Sequence, residues 1–179
     1  MGRLLETLPP ELDVPIVVAQ HRAPDLRSNL ASLLQADVAR GVRDVTDKEP
    51  IERGVVYLAP PDYHLLVEPG HFALSTEERV NYARPSVDVL FESAADAYGP
   101  AAIGIILTGA NEDGAAGLAR IKEAGGVAIV QDPRTAERAR MPEAALAATS
   151  ADVVLPLEEI GPFLRGLCVG ARVRTEVTP

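Results

Sequence analysis

Residues 102–132 read AIGIILTGANEDGAAGLARIKEAGGVAIVQD. Ala102 to Leu107 is a short apolar run, read as a buried strand. It runs into a polar, glycine-bearing turn, Thr108 to Gly114, and then a helix to Ala124. Gly125-Gly126 end that helix, and Val127 to Val130 is another buried strand. Strand, helix, strand, with strands apolar on both faces, is the pattern of a parallel sheet covered by helices on each side.

The same alternation extends in both directions. Upstream, Pro85 and Ser86 start a helix carrying Val87, Leu90, Phe91, Ala94 and Ala95, which ends near Tyr98-Gly99-Pro100. His64 to Val67 and Phe72 to Leu74 flank Glu68-Pro69-Gly70 as a hairpin. Val55 to Leu58 is a strand stopped by Pro60-Pro61, and Val42 to Val45 is a short one. The section from about Val42 to Leu74 is expected to be antiparallel, an edge or subdomain. Val14 to Gln20 is a buried strand, and Pro24-Asp25 opens a helix to Ala36 with Leu26, Leu30, Leu33 and Leu34 on one face. Leu4, Leu5 and Leu8 stand at helical spacing before Pro9-Pro10. Downstream come a helix over Met141–Ala148, a strand over Val153–Leu155 and a final helix over Leu157–Leu167. The segment after Val169 is expected to be a mobile tail.

Length and composition bound the function. A chain of 179 residues with 47% hydrophobic and 24% charged residues fits one globular domain. The single cysteine, Cys168, has no partner within the chain, which suits a reducing, cytoplasmic setting. No apolar run approaches the ~18 residues of a membrane span, and MGRLLETLPPELD lacks the apolar core of a signal peptide. The net charge is −9, Trp is absent and aromatics are 4%. A nucleic-acid surface needs a positive field and stacking rings, so a nucleic-acid partner is not expected. Arg134, Arg138 and Arg140 form the densest basic group and read as a solvated face.

Sites in an open parallel sheet lie beyond the carboxyl ends of the strands. His21 follows VPIVVAQ, Thr108 to Gly114 follow AIGIIL, and Gln131-Asp132 follow VAIV. A histidine and a carboxylate at adjacent strand ends make two thirds of a Ser-His-Asp triad, in which the imidazole is the general base and the carboxylate orients it. Spacing alone leaves Glu112, Asp113 and Asp132 as rival carboxylates, and Asp113 also reads as a helix N-cap. His64 reads as packed in a turn and His71 as solvated at the hairpin tip.

No nucleophile elbow G-x-S-x-G occurs. Gly166-Leu167-Cys168-Val169-Gly170 is the near match, but it follows a helix, and its glycines read as helix-ending and tail residues. Ser86 reads as an N-cap, and Ser28 and Ser32 lie in the second helix. Gly109, Gly114 and Gly117 fit neither the P-loop nor the Rossmann spacing.

VVAQH, GVVYLAPPDYHL, RPSVDVLFESAADAYG, GIILTGANEDGAAGL, AGGVAIVQD and RMPEAAL occur in this order. Together they resemble the catalytic domain of the chemotaxis protein-glutamate methylesterases, CheB, from about Leu4 to Leu164. The resemblance implies a three-layer α/β/α fold with a mainly parallel sheet, spanning residues 1–168 ahead of a tail over 169–179. It implies hydrolysis of glutamate methyl esters on chemoreceptors, and deamidation of receptor glutamines, with no metal or organic cofactor. Its histidine falls on His21 and its aspartate on Asp113. Thr108, Gly109, Ala110, Asn111 and Met141 would border the substrate pocket and oxyanion region. The family usually carries Met-Gly where this chain has Ala110-Asn111. Its serine lies in a G-x-S-x-G-G turn after a first strand, whereas Met1 and Gly2 already match the helix that follows, so that strand and serine are expected to be missing from the sequence. Two alternatives stand beside a hydrolase lacking its serine: an inactive relative that binds a receptor or signalling partner, and a hydrolase using Cys168.

Overall fold

The computed structural model describes residues 2–9, 12–21 and 30–175, and the side chains of all of these except 37 and 168–175. The expected start of the second helix at Pro24-Asp25, with Leu26, lies outside the described residues, as does 176–179.

Among the described residues, two parallel three-stranded sheets organise the chain. In the first, β1 (Ile16–Val18) and β2 (Gly41–Asp44) flank β3 (Val55–Leu58). In the second, β6 (Ile103–Ile106), β7 (Val127–Gln131) and β8 (Val153–Leu155) lie in that order. Between them in sequence, β4 (His64–Glu68) and β5 (His71–Ser75) form an antiparallel hairpin with Glu68 opposite His71. Antiparallel pairing in this section is limited to the hairpin and an isolated bridge from Pro50 to His71 beside it. Val42 and Val56 pair in parallel register, as do Val18 and Leu58, against the expectation for Val42 to Leu58. The reason is non-local: β2 and β3 are joined by a turn whose Ile51 N–H bonds Gly70 and whose Lys48 N–H bonds Phe72, so the segment returns across the hairpin before β3 begins.

Helices cover both faces. On one side lie α1 (Gly2–Thr7), α2 (Leu30–Asp37) and α6 (Leu157–Thr175). Leu4, Leu5, Leu34, Ile160 and Leu164 from these helices share a core with Val56, Leu58 and Ile129. On the other lie α3 (Val87–Tyr98), α4 (Ala115–Glu123) and α5 (Arg140–Ala148). Leu90, Phe91, Leu118, Ile121 and Ala145 share a second core with Tyr57, Ala128, Val130 and the hairpin's Leu65 and Phe72. Neighbouring residues on β3 and β7 thus enter opposite cores, as the two-residue strand period demands. Each core draws on both sheets, which makes the sheets one middle layer.

Close approach explains two glycines. A Cβ on Gly117 of α4 would sit 2.7 Å from Cβ of Phe91 and 2.9 Å from the Asp88 backbone, so α3 and α4 can touch only with hydrogen at that position. A Cβ on Gly161 would meet the Thr7 backbone, which seats α6 on α1.

Two further expectations change. Leu33 is 64% exposed, so the buried stripe of α2 narrows to Leu34 with half-buried Leu30. The final helix does not stop at Leu167. It runs through Gly166 and Gly170 to Thr175, so neither glycine ends it, and residues 169–175 continue the helix.

Candidate active site

β1 and β6 each lie at an edge of their sheet, and their carboxyl ends deliver the two groups that meet. His21 stands three residues beyond Val18 and Asp113 sits on the loop after β6. His21 Nε2 and Asp113 Oδ2 are 2.6 Å apart, although 92 residues separate them in sequence.

Asp113 is 1% exposed. Each of its carboxylate oxygens meets two donors. Oδ1 accepts the Ser86 hydroxyl at 2.6 Å and the Asp88 N–H at 3.2 Å. Oδ2 accepts the Val87 N–H at 2.7 Å besides meeting the His21 ring. The full acceptor capacity of a carboxylate is thereby used. Val87 and Asp88 are the first residues of α3, so Asp113 caps α3 across the fold. The cap of its own helix is Gly114, in the left-handed region at φ 95°. The positive end of α3 favours an anion there. Burial pushes the carboxyl toward the neutral form, but the hydrogen bonds from His21, Ser86, Val87 and Asp88 outweigh it and hold Asp113 below the usual carboxylate range.

Support for this carboxylate extends outward. Ser86 is the N-cap of α3, and its oxygen also accepts the Val89 N–H. Its own N–H donates to His64 Nδ1 at 3.3 Å, while His64 Nε2 lies 2.9 Å from the Glu78 carbonyl. His64 is thus a buried brace behind Ser86. Asp88 accepts the Gly117 N–H at 2.7 Å and the Asn81 side-chain amide at 2.8 Å. Burial and the charge of Asp113 keep Asp88 above the usual carboxylate range against those bonds.

The rival carboxylates go elsewhere. Glu112 pairs with Arg140 at 2.8 Å on the surface. Asp132 accepts Arg134 on both oxygens and caps the short turn Pro133–Thr135. His71 pairs with Glu68 at 2.6 Å in the hairpin. Cys168 lies within α6, far along the helix and not at a strand-to-helix turn; its side chain is outside the described residues.

The loop after β6 is stapled to the start of α5. Thr108 exchanges hydrogen bonds with the Arg138 backbone through its hydroxyl and donates its N–H to buried Gln131. Gly109 N–H donates to Arg138, and its carbonyl accepts from Met141 N–H. A Cβ on Gly109 would overlap the Met141 side chain, which explains the glycine and places Met141 against the loop. Ala110 is exposed. Asn111 alone of this group reaches His21, with Nδ2 3.3 Å from Nδ1. The sequence signalled Ser86 only as a cap, because the partner of its hydroxyl lies 27 residues away. The resemblance gives Asn111 only as pocket lining, and nothing local in the sequence signals its contact to the ring. Among the described residues, no group of three or more His, Cys, Asp or Glu is placed to hold a metal ion, and no helix is long and apolar enough to cross a membrane.

Comparison with known proteins bears on this site. Residues 1–164 match the model of the family described as CheB methylesterase. The chain is 41% identical over 184 residues to the protein-glutamate methylesterase/protein-glutamine glutaminase of a Nocardioides species, covering 100% of this chain and 49% of that one. It is 50% identical over 161 residues to a Leptospira interrogans protein that carries the same double name provisionally, covering 89% and 83% of the two chains. The crystal structure of the Thermotoga maritima CheB methylesterase catalytic domain superposes with a TM-score of 0.86 at 34% identity, covering 93% of this chain and 92% of that one.

Proposed function

The chain belongs to the CheB methylesterase family, and from that premise we propose that His21 and Asp113 are the base and orienting carboxylate of a Ser-His-Asp methylesterase acting on methylated chemoreceptors. The observation that carries the reading is the 2.6 Å contact between the His21 ring and a buried, fully hydrogen-bonded carboxylate. Glutamine deamidation is the companion reaction, since an ester and a primary amide pass through the same acyl intermediate.

The sequence contains no G-x-S-x-G turn, so the proposal needs a serine hydroxyl brought against His21 and assigns it to none of the serines in residues 1–179. His21 takes the proton of that hydroxyl as its oxygen adds to the ester carbonyl. The imidazolium, stabilised by Asp113, then protonates the departing methoxide, and methanol leaves. Water, deprotonated by His21, releases the glutamate and restores the serine. The Thr108 and Gly109 N–H groups are taken by Gln131 and Arg138, so the proposal assigns the oxyanion donors to the backbone N–H groups of Ala110 and Asn111.

Methanol release from methylated receptor tests this, using the full-length protein. His21→Ala is expected to lower the rate by about 10²–10⁴-fold, and residues 1–179 alone are expected to stay at background. A His21→Ala variant as fast as its parent refutes the assignment. Receptor binding without methanol release from any form points instead to an inactive, partner-binding relative.

A further inference from the structure

Asn111 stands two residues before Asp113 on the same loop. Its Oδ1 accepts the Asp113 N–H at 3.3 Å, and its Nδ2 lies 3.3 Å from His21 Nδ1. A backbone N–H can only donate, so the Asn111 atom that meets it is the oxygen. That leaves the amide nitrogen facing the ring, and an amide nitrogen can only donate. His21 Nδ1 must then be an acceptor without a proton. The ring proton resides on Nε2 and points at Asp113 Oδ2, 2.6 Å away. Each bond dictates the next, from the loop backbone to the imidazole.

We propose that Asn111 is a positioning residue that holds His21 as the Nε2–H tautomer, so that Nδ1 is the nitrogen that takes the nucleophile's proton. This rests on the reading of His21 as the base and goes beyond it by naming the atom. Sterics alone do not set the ring. The His21 side chain is 33% exposed, at the end of an edge strand. A ring rotated by half a turn about its Cβ–Cγ bond would put Cε1 opposite Asp113 and Cδ2 opposite the Asn111 amide, so that neither partner meets a nitrogen. Asn111 distinguishes the two arrangements, because only one places a lone pair opposite its amide.

The same contact marks the route of the nucleophile. In the resting site the Nδ1 lone pair faces Asn111. A hydroxyl that hands its proton to Nδ1 must share or replace that contact. At 3.3 Å the bond is at the long end of the range, so replacing it costs little.

The test is a two-bond ¹H–¹⁵N correlation spectrum of the imidazoles of the 179-residue protein, in alkaline buffer where an imidazole is neutral. The chain has three histidines, and the signals lost in His21→Ala assign the ring. The expected pattern is a pyridine-like Nδ1 and a pyrrole-like Nε2. Asn111→Asp keeps an acceptor for the Asp113 N–H but presents only lone pairs to the ring, so the ring is expected to take up a second proton, with Nε2–H kept on Asp113 and Nδ1 turned pyrrole-like by a proton shared with the new carboxylate. A pyrrole-like Nδ1 in the unsubstituted protein overturns the proposal, and so does an Asn111→Asp spectrum identical to the parent's. The spectra read the ring whether or not an ester is hydrolysed, so failure of this proposal and failure of the esterase reading give different results.

Discussion

The loop after β6 and the end of β1 contribute one partner each to the same contact, yet they are built differently. Asp113 is buried and receives two donors on each oxygen, from a ring, a hydroxyl and two amides at the start of α3. His21 is a third exposed and meets only Asp113 and Asn111 among the described residues. The carboxylate is part of the protein's architecture, while the imidazole is an appendage to it. A base that must exchange protons with a bound group gains from standing at the surface. The group that orients it gains from being immovable.

The largest effect expected from this asymmetry is on stability at Asp113. Asp113→Ala strips the acceptor from four donors, two of them amides at a buried helix start, and should destabilise the fold by about 3–5 kcal/mol. Urea unfolding measures it, and a loss below ~1 kcal/mol would break the claim that this carboxylate is architectural. Its pH dependence has a definite sign. The folded-state pKa of Asp113 is depressed, so its contribution is complete above the unfolded value of about 3.9 and disappears as pH falls through the folded value. The stability gap between the parent and Asp113→Asn should therefore close on acidification below about pH 4.

Next in size is Gly117→Ala. The added methyl would press on Phe91 and on the Asp88 backbone, which cannot step aside without separating α4 from α3. A cost of about 1–3 kcal/mol is expected in the same unfolding measurement. An unchanged midpoint would mean that α3, and the amides it offers to Asp113, are held less firmly than the packing indicates. The smallest effect is assigned to His21→Ala, below ~1 kcal/mol, because Asp113 keeps its other three donors and the ring is partly in water. A loss equal to that of Asp113→Ala would erase the difference between the two ends.

Much of the molecule was legible from local pattern. Ala102 to Val130 read correctly as strand, helix and strand because apolar runs and Gly125, at φ 85°, mark their boundaries within a few residues. Ser86 read correctly as a cap because a cap bonds within its own first turn. What failed or stayed open was non-local. Parallel pairing of β2 with β3 depends on the path of the intervening chain. The exposure of Leu33 depends on what lies beside α2. The helix passing through Gly166 is not legible locally, because glycine permits a helix end without requiring one. Spacing likewise left three carboxylates in contention; the structure sends Glu112 to Arg140 and Asp132 to Arg134, and Asp113 to His21.

The sequence by itself determined the residue types at the strand ends, the alternation that makes a helix-covered parallel sheet, and the motif order that the family shares. Those are properties of neighbours along the chain, where period and turn chemistry act. Only the tertiary structure decided that Asp113 caps a helix starting 26 residues before it, and that Asn111 faces one nitrogen of His21. A hydrogen bond is satisfied by distance and direction in space, and the sequence carries neither until the two sheets have closed into one layer.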